Sequence, residues 1–154
     1  MFEWFRTEGV QLLMAFTGSA GFAILFQTKR SRIIPAAFGG LLSWGIYLLL
    51  LHLTGMYFAA CVIAAAAAAV YSEVMARVEK TPTTVFFISA VIPLIPGSSL
   101  YYTVSNMVAG NRELAESYGV KTILYMVGIA VGVSLVNTFI IARGKYEKTM
   151  NRER

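Results

Sequence analysis

Aspartate is absent from this chain of 154 residues, and histidine and cysteine each occur once. A single histidine, His52, excludes a multi-histidine metal site built by this chain alone. A single cysteine, Cys61, excludes an internal disulfide, and neither a Cys-x-x-Cys nor a Cys/His ligand spacing occurs. Cys61 therefore reads as a small packing residue beside the alanines that follow it. No nucleophile–base pair, acidic metal motif or phosphate loop is visible, so an enzyme is not expected, nor a metal or cofactor. Charge is scarce as well: charged residues make up 14% of the chain, in short clusters. A soluble domain needs far more polar surface. The net charge of +5 does not point to nucleic acid, because Lys and Arg sit at the ends of apolar runs and form no stripe interleaved with exposed aromatics.

What the chain has in quantity is apolar sequence. Stretches of about 20 residues, enough to cross a hydrocarbon core about 30 Å thick, follow one another with polar or charged joints between them. The expected fold class is an all-α integral membrane protein of about five transmembrane helices, the fourth broken at Pro93-Pro96-Gly97. It forms a single transmembrane domain over residues 1–154, with spans at about 9–27, 33–53, 56–75, 84–109 (broken) and 122–142. A basic tail, 143–154, closes it. Glu3 and Glu8 spoil the basic start of a signal peptide, so the first span is expected to stay. Phe2, Trp4 and Phe5 ahead of it suit an interfacial lead-in.

Small residues mark the packing faces. Ala15, Thr17, Gly18, Ser19, Ala20, Gly21 and Ala23 crowd the first span, with a substrate-lining face using Thr17 and Ser19 as the alternative to packing. Ala36, Gly39, Gly40 and Ser43 repeat the pattern in the second span, where Pro35 is expected in the first turn and does no harm there. Trp44 and Tyr47 lie one turn apart. The joint His52-Leu53-Thr54-Gly55 implies a tight antiparallel hairpin. Ala64 to Ala69 make the third span a thin cylinder, and Gly128-Ile129-Ala130-Val131-Gly132 is a GxxxG face. Thr83 or Thr84 can cap the fourth segment, and residues 110–119 read as the one substantial polar loop.

Glu73 lies four residues before Arg77. Either the two form an interfacial pair, or Glu73 faces a cavity as a possible proton-coupling group, since an acid at membrane depth marks function. Lys29, Arg30, Arg32, Arg77, Lys80 and the basic tail fall on one side of a five-span arrangement, against Arg6, Arg112 and Lys121 on the other. The positive-inside rule then places the N-terminus outside and the C-terminus in the cytoplasm of a plasma (inner) membrane.

The stretch from Ile92 to Tyr102 breaks an apolar run with helix breakers. Pro93 and Pro96 each remove a backbone donor, and Gly97 adds freedom. Inside a bilayer this is tolerated only where protein or water satisfies the freed groups. Thirteen residues from Thr83 carry the chain roughly 20 Å inward, to mid-membrane or beyond. A second half-helix from Gly97 or Ser98 has Leu100, Val104, Met107 and Val108 on an apolar face. Its polar face carries Ser98, Ser99, Tyr101, Tyr102, Thr103, Ser105 and Asn106, and must turn toward a cavity or another chain. Its start offers unpaired N–H groups and the positive dipole end, which suit a carboxylate. Pro96, Gly97, Ser98, Ser99, Tyr101, Tyr102 and Asn106 are the candidate substrate-binding residues.

The block Pro93-Leu94-Ile95-Pro96-Gly97-Ser98-Ser99-Leu100-Tyr101-Tyr102, in a small five-span chain with a glycine- and alanine-rich first half, resembles the threonine/serine exporter family, specifically its short subunit. That resemblance implies export of small amino acids or dicarboxylates in company with a larger membrane subunit. The polar half-helix also asks for something to face: a second subunit, a homo-oligomer partner, or both. The competing function is a noncatalytic membrane scaffold, in which the break is only a kink.

Overall fold

A computed structural model describes residues 2–150, and the side chains of residues 8–143. The expected aromatic lead-in at Phe2, Trp4 and Phe5, and the tail side chains beyond Arg143, lie outside the described side chains. Among the described residues six α-helices follow one another: α1 (Phe2–Leu25), α2 (Arg30–Thr54), α3 (Tyr57–Val78), α4 (Thr84–Val91), α5 (Gly97–Val108) and α6 (Arg112–Met150). A 3-10 turn, Ile92–Leu94, separates α4 from α5. α2, α3 and the described parts of α1 and α6 are each long and apolar enough to cross a membrane. The α4–turn–α5 pair makes a fifth, bent by 51°. The all-α membrane fold with a broken fourth span is thus observed.

α2 is the centre of the bundle, packed by α1, α3 and α4; α3 in turn carries α6. The contacts are made by small side chains. A Cβ on Gly40 would overlap the Ser19 side chain, and one on Gly39 would lie 2.9 Å from the Tyr71 ring and 3.0 Å from Ala90 Cβ. On α6 a Cβ at Gly128 would lie 3.1 Å from Cys61 Cβ, and one at Gly132 would run into the Val62 carbonyl. The GxxxG face therefore seats α6 directly on the α3 backbone. Lipid is as apolar as the side chains it replaces, so such close approach is what holds membrane helices together. Cys61 is buried in the alanine seam, with its Sγ 3.5 Å from the Tyr125 carbonyl.

The α2–α3 hairpin is as tight as expected. Gly55 takes the left-handed conformation at φ 66°, its N–H donates to the Leu51 carbonyl at 2.8 Å, and α3 starts two residues later.

Three expectations are corrected. α2 begins at Arg30, so Pro35 stands inside the helix rather than in its first turn; its carbonyl accepts the Tyr71 hydroxyl at 2.7 Å. The polar loop expected at 110–119 shrinks to Ala109-Gly110-Asn111, because Arg112, Glu113, Leu114, Ala115 and Glu116 are strong helix formers whose polarity does not prevent a helix outside the hydrocarbon. Gly110, at φ 77°, ends α5, and the Asn111 N–H returns to the Asn106 carbonyl at 2.9 Å. Thr83 does not cap α4 with its side chain. Its hydroxyl donates instead to Glu73 Oε2 at 2.8 Å.

Candidate functional site

The break is held from both sides. Ser43, buried in the middle of α2, donates its hydroxyl to the Ala90 carbonyl at 2.6 Å, just before the chain leaves the α-helical path. The Ile95 N–H closes the 3-10 turn onto the Ile92 carbonyl at 3.1 Å, so one carbonyl deprived by proline finds a donor three residues on. Leu94 is buried against Tyr47, Ala60, Ala64 and Ala65. Tyr47 stands seven residues before the end of α2, about 10 Å from it. Measured against its neighbours, the turn therefore lies past the middle of the bundle.

α5 then leaves the α2–α3–α4 core and packs chiefly on α6. The Tyr102 and Tyr118 rings lie 5.2 Å apart, and a Cβ at Gly119 would touch Thr103 at 3.5 Å. α3 and α6 run in the same direction, and Lys121 sits 4.6 Å over the ring of Tyr57, the first residue of α3. The second half of α5 and the first turns of α6 thus extend beyond the α2–α3 hairpin.

The candidate residues divide by face. Pro96 and Ser99 are buried, while Gly97, Ser98, Tyr101 and Tyr102 are exposed. The first ladder bond runs from the Leu100 N–H to the Pro96 carbonyl at 3.0 Å, so the N–H groups of Ser98 and Ser99 precede it as the open donors of a helix start. A Cβ at Gly97 would meet nothing within 4 Å. The Ser99 carbonyl accepts the Thr103 hydroxyl at 2.7 Å. Asn106 spends one amide hydrogen on the Tyr102 carbonyl at 2.8 Å, within its own helix. Ser98, Tyr101 and Tyr102 thus share the open side of α5 without converging on one point.

Across the break lies a cavity of about 270 Å³ between α1, α2 and the turn, lined by Gln11, Ala15, Ser19, Trp44, Ile92 and Pro93 among others. Ser19 is fully buried, and its hydroxyl has no hydrogen-bond partner among the described residues. Thr17, its companion in the lining alternative, is exposed and bonds back to the Leu13 carbonyl at 2.9 Å. Sequence reasoning missed Gln11 and Trp44 as cavity walls. The signal for Gln11 was an amide inside the apolar first span. Trp44 also stacks on Tyr47 at 4.9 Å, and the Tyr47 hydroxyl hydrogen-bonds that of Tyr125, tying the cavity wall to α6.

Glu73 stands apart, near the opposite end of α3. Its carboxylate accepts Arg77 at 2.9 and 3.2 Å and the Thr83 hydroxyl at 2.8 Å, joining α3 to the residue before α4. It also borders a groove between α3 and α6. Nearby, Arg32 ties α2 to the same joint through Glu79 and Thr81.

A family model described as Threonine/Serine exporter, ThrE, matches residues 11–139. No curated protein and no solved structure gives a match.

Proposed function

The chain belongs to the threonine/serine exporter family, a family of membrane transporters, and from that premise we propose that it is one subunit of a secondary exporter for small carboxylate-bearing metabolites. The substrates are threonine and serine, or a dicarboxylate such as succinate, and the chain works with a larger membrane subunit. The observation that carries this reading is the start of α5: an open Gly97, an exposed Ser98 and unbonded N–H groups, set at a break deep in the bundle. Such a helix start attracts a carboxylate through its N–H groups and dipole, more strongly where water is scarce. Tyr101 and Tyr102 supply hydroxyls for the amino, hydroxyl or second carboxylate group of the substrate, and Asn106 an amide oxygen one turn further. Their outward direction supports a second wall on another chain.

The test is export of labelled threonine, serine and succinate from cells expressing this chain with and without a larger family subunit. Export is expected only with both. Gly97→Trp should abolish it while leaving folding and insertion of this chain intact, since nothing in the chain lies within 4 Å of a Cβ at Gly97. Transport by this chain alone, or unaltered transport by the Gly97 and Ser98→Ala variants, would overturn the assignment. In the same reading Glu73 is the proton-coupling acid, reached from the groove it borders. Glu73→Gln is then expected to stop export driven by a pH gradient while sparing substrate exchange; loss of both or neither removes it from that role.

A further inference from the structure

The cavity between α1, α2 and the turn has walls of two kinds. Met14, Ile92 and Pro93 are apolar, while Gln11, Ser19 and Trp44 bring an amide, a hydroxyl and an indole N–H. No charged side chain lines it among the described residues. Elsewhere in the spans a hydroxyl settles within its own helix: Ser72 donates to the Ala68 carbonyl at 2.7 Å and Thr122 to the Tyr118 carbonyl at 2.8 Å. Ser19 does not turn back in this way. Its hydroxyl lies against Gly40, which has no side chain to answer it, and is fully buried without a partner among the described residues. The turn on the far wall adds to the imbalance, because Pro93 has no N–H to give the Ser89 carbonyl four residues before it.

We infer that this cavity holds water. An acyl chain in the same space would leave the Ser19 hydroxyl unanswered, and a buried unpaired hydroxyl costs more than the ordering of a water beside it. An ion would find no countercharge. The volume of about 270 Å³ takes several waters, each of which occupies about 30 Å³ in the liquid. A turn about one side-chain torsion brings the Ser19 hydroxyl to the first of them, and the Gln11 amide serves others nearer the start of α1. The break is thus wetted on its α1 side, whatever binds at the start of α5, and α1 is a wall of a hydrated pocket as well as a packing helix.

Radiolytic hydroxyl-radical footprinting of the full chain in lipid nanodiscs tests the inference, because radicals formed from water oxidise the side chains beside it and mass spectrometry locates the added oxygen. Methionine sulfur is a ready target. Met14 lines the cavity, and Met126 is a control of the same residue type, likewise exposed and set beside Tyr125, whose hydroxyl meets that of Tyr47 one turn from Trp44. Met14 should be oxidised severalfold faster than Met126. Gly18→Leu reaches into the cavity from a position with nothing within 4 Å of its Cβ. It should slow oxidation of both Met14 and Trp44 while Met126 keeps its rate, which also shows that the variant is folded. Equal oxidation of Met14 and Met126 in the native chain would overturn the inference and leave the cavity to lipid or a neighbouring helix. So would undiminished oxidation of Trp44 in Gly18→Leu, which would place the water outside the cavity.

Discussion

At Gly132 the absence of a side chain decides how two helices meet. A Cβ there would collide with the Val62 carbonyl, a backbone atom that cannot turn aside. Gly132→Leu should therefore lower the midpoint of thermal unfolding in detergent, by an amount that corresponds to about 1–3 kcal/mol or more. Gly18→Ala, on a side of α1 with nothing within 4 Å, should leave it unchanged or raise it. The spacing Gly128-x-x-x-Gly132 was legible in the sequence because a repeat on one helix face announces itself. The meeting of Ser19 with Gly40 was not, since each residue fits many partners and only the assembled α1–α2 pair selects this one. Thr83 failed as a cap because its backbone is already helical, at φ −56° and ψ −32°, and its hydroxyl is turned to the Glu73 carboxylate.

Helices and their ends were legible where hydropathy or glycine fixed them, as at the two-residue turn around Gly55. The start of α6 was not, because a polar helix leaving the hydrocarbon has the composition of a loop. The break at Pro93 and Pro96 was visible, but not the direction α5 takes, which depends on the Tyr102–Tyr118 contact and the fit of Thr103 against Gly119. That placement makes a prediction. With Cys61 replaced by alanine, Thr103→Cys with Gly119→Cys should form a disulfide under mild oxidation, detected as a shift in mobility on reduction of a chain cleaved between α5 and α6. Adding Pro93→Ala and Pro96→Ala, which lets α4 run on as a helix, should reduce the yield severalfold. An undiminished yield would mean that α6 alone fixes α5.

Across the whole molecule the sequence gives the inventory of spans and the sidedness of charge, and leaves open what faces what. By the positive-inside rule the expected orientation has the α3–α4 turn in the cytoplasm and the α5–α6 turn outside. In a Cys61→Ala background, Asn111→Cys should react with a membrane-impermeant maleimide on intact cells, and Lys80→Cys only after permeabilisation. The reverse pattern would invert the orientation. The candidate site was legible as a list of residues but not as an arrangement: Ser99 turned inward and Tyr101 outward because α5 packs on a helix that no local pattern identifies.

α5 is attached at two places that answer to different parts of the bundle. Its N-terminal end follows α4, which α2 grips through Ser43, and its flank follows α6, which α3 grips through two glycines. Any change in spacing between these two grips must be absorbed between Ile92 and Gly97, where a short 3-10 turn replaces the α-helical ladder. The stretch proposed to offer its N–H groups to a carboxylate is thus also the expansion joint of the molecule, so that the geometry of the donors follows the separation of the two halves.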